Sequence, residues 1–318
     1  MQINSVGAIT WTPRDLDVFL ALAASGGFRR AAEQVHLSQS AVSGVIARLE
    51  DSLGVRLFDR NTRSVSLTPC GEVFLEQARL LRAQFDEAAR RVRAMVQLRA
   101  GRVSLAALPS LAATVLPRVM AEFARLYPGV ELNVRDTLSG AAFELVRSGQ
   151  VDLAITAANP EYADLDYTAL TADSFVLLCA ADHRLARSRK PLQWSEVVGE
   201  RHISMPLPAS VRQYANAAFL FHGFQFAPAY EVEHIATIHG MVRAGLGVAA
   251  LPELAAAFVG REGMVTRRLT GPDMQRPIGL VSRRGRSLSP AAAEMIRLLR
   301  EEIAHLLPAG RTGPVAGE

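Results

Sequence analysis

The chain has 318 residues, 49% hydrophobic and 21% charged, and its 35 basic and 31 acidic side chains leave a net charge of +4. This excludes a disordered or fibrous chain, and the length calls for two or three compact units. No run of 18 apolar residues occurs, and the opening MQINSVGAITWTPRD lacks the basic-then-apolar order of a secretory signal, so neither a helical membrane span nor export is expected. Cys70 and Cys179 fit no metal or redox spacing, and a reducing cytoplasm is the expected compartment. Lys190 is the only lysine, so the other 34 of the 35 basic residues are arginines, the better fork for phosphates and base edges.

The first helix starts at Thr12, with Pro13 behind the cap and Asp15 at the third helical position. Leu16, Phe19, Leu20 and Ala23 follow at helical spacing, and Ser25-Gly26-Gly27 ends it. A short second helix carries Phe28, Ala31, Ala32 and Val35. After the turn His36-Leu37-Ser38, Ser38 caps a third helix with Val42, Val45, Ile46, Leu49 and Leu53 inward, closed by Gly54. Three short helices with a tight turn before the third spell helix-turn-helix. Val55–Phe58 and Ser64–Leu67, around the polar tip 59–63, then predict a β-hairpin in the position of a wing.

From Thr68-Pro69 a long helix carries Phe74, Ala78, Leu81, Phe85, Ala88, Val92 and Met95 at alternating spacings of four and three. Such a seam predicts pairing of two helices in a dimer, the alternative being an amphipathic helix on its own domain. Ala100-Gly101 ends it. Beyond Arg102, strands are expected at 103–107, 130–135, 151–157, 175–181, 202–205, 229–232, 248–251, 265–269 and 278–281. Helices are expected at 113–126, 141–148, 211–222, 235–244, 253–259 and 290–306. This alternation predicts an α/β architecture with largely parallel sheets and a disordered tail at 308–318.

On the third helix, the face opposite the apolar one shows Gln39, Ser40, Ser43, Gly44 and Ala47. Gln can bond adenine bidentately, and Ser suits base edges or phosphates. Arg60 and Arg63 at the wing tip suit a minor groove or phosphates. Of the excess charge, residues 1–101 hold 13 Arg against 10 acids, or +3, and the rest 22 basic against 21 acidic residues, or +1. His234 and His239 form no HExxH, Gly245-Leu246-Gly247 opens a strand rather than a helix, and neither GxSxG nor a Walker A sequence occurs, so no metal, cofactor or catalytic constellation is read.

The run ASGGFRRAAEQVHLSQSAVSGVIARLEDSLGVRLFDRNTRSVSLTPCGE, residues 24–72, resembles the N-terminal domain of LysR-type transcriptional regulators. The resemblance implies an N-terminal all-α winged helix-turn-helix (1–68), a linker dimerisation helix and hinge (69–101), and a periplasmic-binding-protein-like effector domain of two α/β subdomains. The first subdomain would comprise 102–167 and 273–307, the second 168–272. It carries DNA contacts onto Ser38, Gln39, Ser40, Ser43, Arg60 and Arg63, and effector contacts onto Ser110, Ser139, Ser204, Pro206 and Thr237. Arg135, His202 and Arg212 stand nearby as candidate charge partners, and helix N-termini at the cleft favour an organic anion. Ser40 stands where the family often has Pro, Gly44 where it often has Arg, and Gly27 where it often has Ser, so the family's arginine contact at position 44 and serine phosphate contact at position 27 are not expected here. The implied partners are promoter DNA, a small-molecule effector, further copies of the chain up to a tetramer, and RNA polymerase. A solute-binding protein and an α/β enzyme with a DNA-binding arm are the alternatives; steeply salt-dependent DNA binding separates them from a regulator.

Overall fold

The computed structural model describes residues 11–61, 64–187, 190–257 and 262–306, so the expected tail at 308–318 lies outside the described residues. The chain divides into two compact units between Ala94 and Met95.

The first unit opens with α1 (Pro13–Ser25), α2 (Phe28–Gln34) and α3 (Gln39–Leu53). Thr12 accepts from the Asp15 amide while the Asp15 carboxylate accepts from the Thr12 amide at 2.7 Å, a reciprocal cap. Asp15 also receives Arg48 of α3 at 3.0 Å. Burial opposes its charge, but the Thr12 bonds and Arg48 outweigh burial and hold its carboxyl below the usual range. Phe19, Leu22, Ile46, Leu49 and Phe58 fill the core.

The wing pairs β1 (Phe58–Asn61) with β2 (Ser64–Leu67), Phe58 opposite Leu67 and Asn61 opposite Ser64. Its first strand therefore begins three residues later than expected, and Arg60 lies on the strand. The reason is Glu50: its Oε1 accepts from the amides of both Leu57 and Phe58, at 2.8 and 3.2 Å, so residues 55–57 are held to α3 instead of the ladder. Helix α4 (Pro69–Val96) starts beneath Thr68, whose Oγ1 accepts from the Gly71 amide and donates to the Arg56 carbonyl. A Cβ on Gly71 would lie 2.0 Å from the Leu57 carbonyl oxygen, so this helix start packs on the wing only with glycine there.

The heptad seam of α4 divides in two. Ala78 is fully buried in the unit's own core, and Phe74 and Leu81 pack against that core. Phe85, Ala88 and Val92 are exposed, Phe85 at 49% and Val92 at 63%. The expectation of an unbroken dimer seam is corrected accordingly: its first three positions serve the domain itself, because α4 there lies on α1 and the wing.

In the second unit, β3 (Gly101–Ala107) pairs in parallel with β4 (Val130–Asp136) and β5 (Leu153–Ala157). Between β3 and β4 run α5 (Pro109–Thr114) and α6 (Leu116–Leu126), and α7 (Ser139–Arg147) precedes β5. One helix was expected at 113–126; Pro117 near the start of α6 breaks it by removing an amide and crowding the preceding turn. β6 (Leu165–Ala180) is 16 residues long. It is followed by β7 (Leu192–Gln193), β8 (Ile203–Ser204), α8 (Ser210–Phe221), β9 (Tyr230–Glu231), α9 (Ile235–Arg243), β10 (Ala249–Pro252), α10 (Glu253–Ala256), β11 (Met264–Thr270), β12 (Gln275–Arg283) and α11 (Pro290–Leu306).

The main sheet runs β4-β3-β5-β12-β6-β11-β7, with β10 also on β6, while β8 and β9 form a separate parallel pair. The sheets are mixed rather than largely parallel, because β11 and then β12 retrace β6 antiparallel, from Met264 opposite Ala180 to Arg283 opposite Leu165. Two lobes hang on this ribbon. Phe123, Ile155, Met295 and Leu299 centre the core of the first, to which α11 returns, and Phe175, Trp194, Phe219 and Leu251 centre that of the second. Leu170 of β6 still packs on the first core, while Phe175 belongs to the second.

Candidate functional site

Two surfaces carry the residues expected to act. The first is the open end of α3. The Ser38 hydroxyl accepts from the Ala41 amide at 3.1 Å and lies 3.0 Å from the Ser40 hydroxyl, so its first role is to cap the helix. Gln39 and Ser40 are exposed and Ser43 half-buried at the start of α3, Ser40 on the side away from Val42, Ile46 and Leu49. Arg60 is placed by its backbone on β1, opposite Val65, and Arg63 lies outside the described residues. Arg48 emerges on α3 as well, where Asp15 holds it.

The second is a narrow cavity of ≈ 10 Å³, room for about one water, between the lobes of the second unit. Its wall is made by Leu108, Pro109 and Ser110 at the start of α5, Leu138 and Ser139 at the start of α7, Met205, the Ala209-Ser210-Val211 start of α8, Ile235 of α9, and Arg276 of β12. Ser110 and Ser139 thus share one wall. Ser139 Oγ donates to the Ala157 carbonyl and accepts from Thr156 Oγ1 at 3.0 Å.

Ser204, Pro206 and Thr237 are not in the wall. Ser204 alternates with Met205 along the chain, and it is Met205 that faces the cavity. The Ser204 hydroxyl is buried without a hydrogen-bond partner. The Pro206 carbonyl accepts from the Ala209 amide in the turn leading to α8. Thr237 follows Ile235 by two positions, about 200° round the helix, and is exposed. The charge partners expected near the cleft are also engaged elsewhere. Arg135 donates to Gln150 at 3.0 Å, Arg212 pairs with Glu231, and His202 is buried against the Val197 carbonyl.

The charge that does reach the wall is Arg276, a residue not singled out from the sequence. Its side chain is 2% exposed and its Nη2 donates to Asp173 Oδ2 at 2.9 Å and to Ser110 Oγ at 3.1 Å. Asp173 is wholly buried and lies directly opposite Arg276 in the β6–β12 ladder. Burial pushes the Asp173 carboxyl upward, opposed by the guanidinium beside it and by the Leu254 amide. Because the guanidinium keeps its proton, the pair is a single buried dipole at the cavity floor. No sequence signal joins two residues separated by 103 positions; only the strand register does.

Both units of the chain resemble known proteins. Residues 13–72 match the bacterial regulatory helix-turn-helix protein family of the lysR type, and residues 97–304 match the LysR substrate binding domain. An uncharacterized HTH-type transcriptional regulator of Escherichia coli, YbhD, is 32% identical over 284 residues, covering 89% of each chain. A hydrogen peroxide-inducible genes activator of Pectobacterium carotovorum is 28% identical over 291 residues, covering 91% of this chain and 96% of its own. A full-length cysteine-to-aspartate variant of OxyR from Pseudomonas aeruginosa superposes with a TM-score of 0.76 at 24% identity, covering 92% of this chain and 99% of its own, a likeness of fold. The chain belongs to the LysR family of transcriptional regulators. It is accordingly a regulator and not an enzyme, with a DNA-binding helix-turn-helix and an effector-binding domain. Among the described residues no helix is long and apolar enough to cross a membrane.

Proposed function

We propose that this regulator reads promoter DNA with Gln39, Ser40 and Ser43 at the start of α3, helped by Ser38 and by wing arginines Arg60 and Arg63. Its working form is a cytoplasmic homodimer paired through the exposed stretch of α4 around Phe85, Ala88 and Val92, assembling further to a homotetramer and acting on RNA polymerase. The winged domain is residues 1–68, the linker 69–101 and the effector domain the remainder, with its lobes exchanging near residues 167 and 272. The effector is a small organic anion bound between the lobes at Ser110 and Ser139. The observation that carries the DNA reading is the exposed polar start of α3, on a helix that buries Val42, Val45, Ile46 and Leu49 in the core of its domain.

The peroxide chemistry of the named relative is not the proposal here. Cys179 is fully buried and burial pushes its thiol up to about 11, while Cys70 belongs to the other unit. A thiol that stays protonated is a poor nucleophile toward peroxide.

The test is binding of the full chain to its own promoter region across salt concentrations, with wild type and Gln39→Ala. Wild type should lose affinity steeply with salt, as phosphate neutralisation requires. Gln39→Ala should lose about 1–3 kcal/mol of discrimination at one base pair of the site while keeping the salt slope. Unchanged base preference would remove Gln39 from the reading face.

A further inference from the structure

Helix α2, which leads into α3, buries Ala31 and Ala32 and turns Arg29, Arg30 and Glu33 outward. Arg29 donates to Glu33 at 3.3 Å, so its charge is matched one turn along the helix. Arg30 is not matched: among the described residues no hydrogen bond and no ion pair holds it. Its side chain folds back toward the start of α2, as helical side chains do, and lies over the Gly26-Gly27 turn. A Cβ built on Gly27 would stand 3.7 Å from Arg30 Nε and 3.8 Å from its Nη2. One built on Gly26 would stand 3.9 Å from Arg30 Nη2 and 3.7 Å from the Val65 carbonyl oxygen of β2. Two bare glycines thus leave room for a guanidinium where the α1–α2 turn approaches the wing.

We propose that Arg30 binds a phosphate of the DNA backbone, an inference that rests on α3 being the recognition helix as proposed above. In a helix-turn-helix the helix before the recognition helix crosses the backbone of the duplex, and only the turn 35–38 separates α2 from α3. The anion met at such a position is a phosphate. An exposed guanidinium with no internal partner gives up only water to bind one, whereas Arg29 must first leave Glu33, whose carboxylate also repels a phosphate. The planar fork of Arg30 can take two phosphate oxygens at once. Contacts to phosphate fix register and orientation without carrying base preference. Arg30 therefore sets the angle at which α3 enters the groove, and leaves the choice of base to the side chains of α3.

The test is the salt dependence of DNA binding by the full chain, on its own promoter region and on an unrelated duplex, for wild type, Arg30→Gln, Arg30→Lys and Arg29→Gln. Loss of one phosphate contact should flatten the slope of log affinity against log salt by about 0.9. Arg30→Gln should show that change and bind about fivefold to tenfold more weakly near 0.1 M salt, by the same factor on both duplexes. Arg30→Lys keeps a point charge and should retain the wild-type slope. Arg29→Gln removes the same charge from the same helix and should flatten the slope much less. An unchanged slope in Arg30→Gln overturns the contact, and so does equal flattening in Arg29→Gln, which would reduce the effect to net charge. A loss confined to the promoter duplex would make Arg30 a base reader and overturns the phosphate contact too. Both arginines are exposed, and circular dichroism confirms that each variant keeps its helices. Wild type that binds neither duplex, or binds without a salt slope, overturns the DNA reading itself and the role of Arg30 with it.

Discussion

A guanidinium and a carboxylate removed from water together lose hydration on both sides, and good geometry only recovers it. Arg276 and Asp173 meet that condition through the strand register, the Ser110 hydroxyl and the Leu254 amide. Removing one partner is then far worse than removing both. Asp173→Ala should lower the unfolding free energy by about 3–5 kcal/mol, read from urea denaturation of the full chain followed by the fluorescence of Trp194, which lies in the second lobe's core. A loss below about 1 kcal/mol would mean that water or another group already supports the guanidinium. Residue-scale reading of the sequence reached the caps, because Thr12, Asp15 and Ser38 act within three positions of their partners. Arg276 was out of its reach, since nothing local distinguishes it from the arginines around it. Thr237 was misplaced because a helix turns two-residue neighbours to opposite sides.

At the scale of elements, the split seam of α4 shows two uses of one periodic pattern. Ala78 answers to the core of its own domain, Phe85 and Val92 to no partner within the described residues of this chain. Phe85→Glu should therefore leave the N-terminal unit folded while weakening self-association, seen as a smaller species in sedimentation velocity with unchanged helical circular dichroism. An unaltered sedimentation coefficient would sink the pairing. Helices were legible wherever a cap and a 3.6-residue stripe coincided, as in α1, α3 and α11. Strand β6 was read only from residue 175, because Asp166, Thr168, Thr171 and Asp173 interrupt its apolar pattern; its first half is a strand by virtue of β12 alongside it. The two-residue β7 was not seen at all, for it exists only as an edge on β11.

For the molecule as a whole, the second lobe contains histidines that fold without their proton. Burial lowers the basicity of His202, which sits edge-on to Phe219 and Phe226, and likewise of His239, in both cases against a backbone carbonyl bond that favours the charged ring. Their folded values lie below the ordinary 6.5, so below that pH the unfolded chain binds protons that the folded chain refuses. Stability should be full above pH 6.5 and decline as pH falls through the depressed folded values. The midpoint of thermal unfolding of the second unit should drop between about pH 7.5 and 5.5, and His202→Gln, which retains a donor for the Val197 carbonyl, should flatten that drop. A midpoint independent of pH in both proteins would assign the acid sensitivity elsewhere.

The 16-residue strand that threads both lobes has a mechanical corollary. A loop hinge bends at almost no cost, whereas this ribbon can yield only by changing its coil along a continuous ladder of amide bonds, with give concentrated where the register slips at Ile278/Gly279. The lobes are joined less by a door hinge than by a torsion bar. An effector seated beside Arg276, a step or two along β12 from that slip, would act on the bar itself: small angles at the ligand, stored elastically and delivered to whatever the lobes grip.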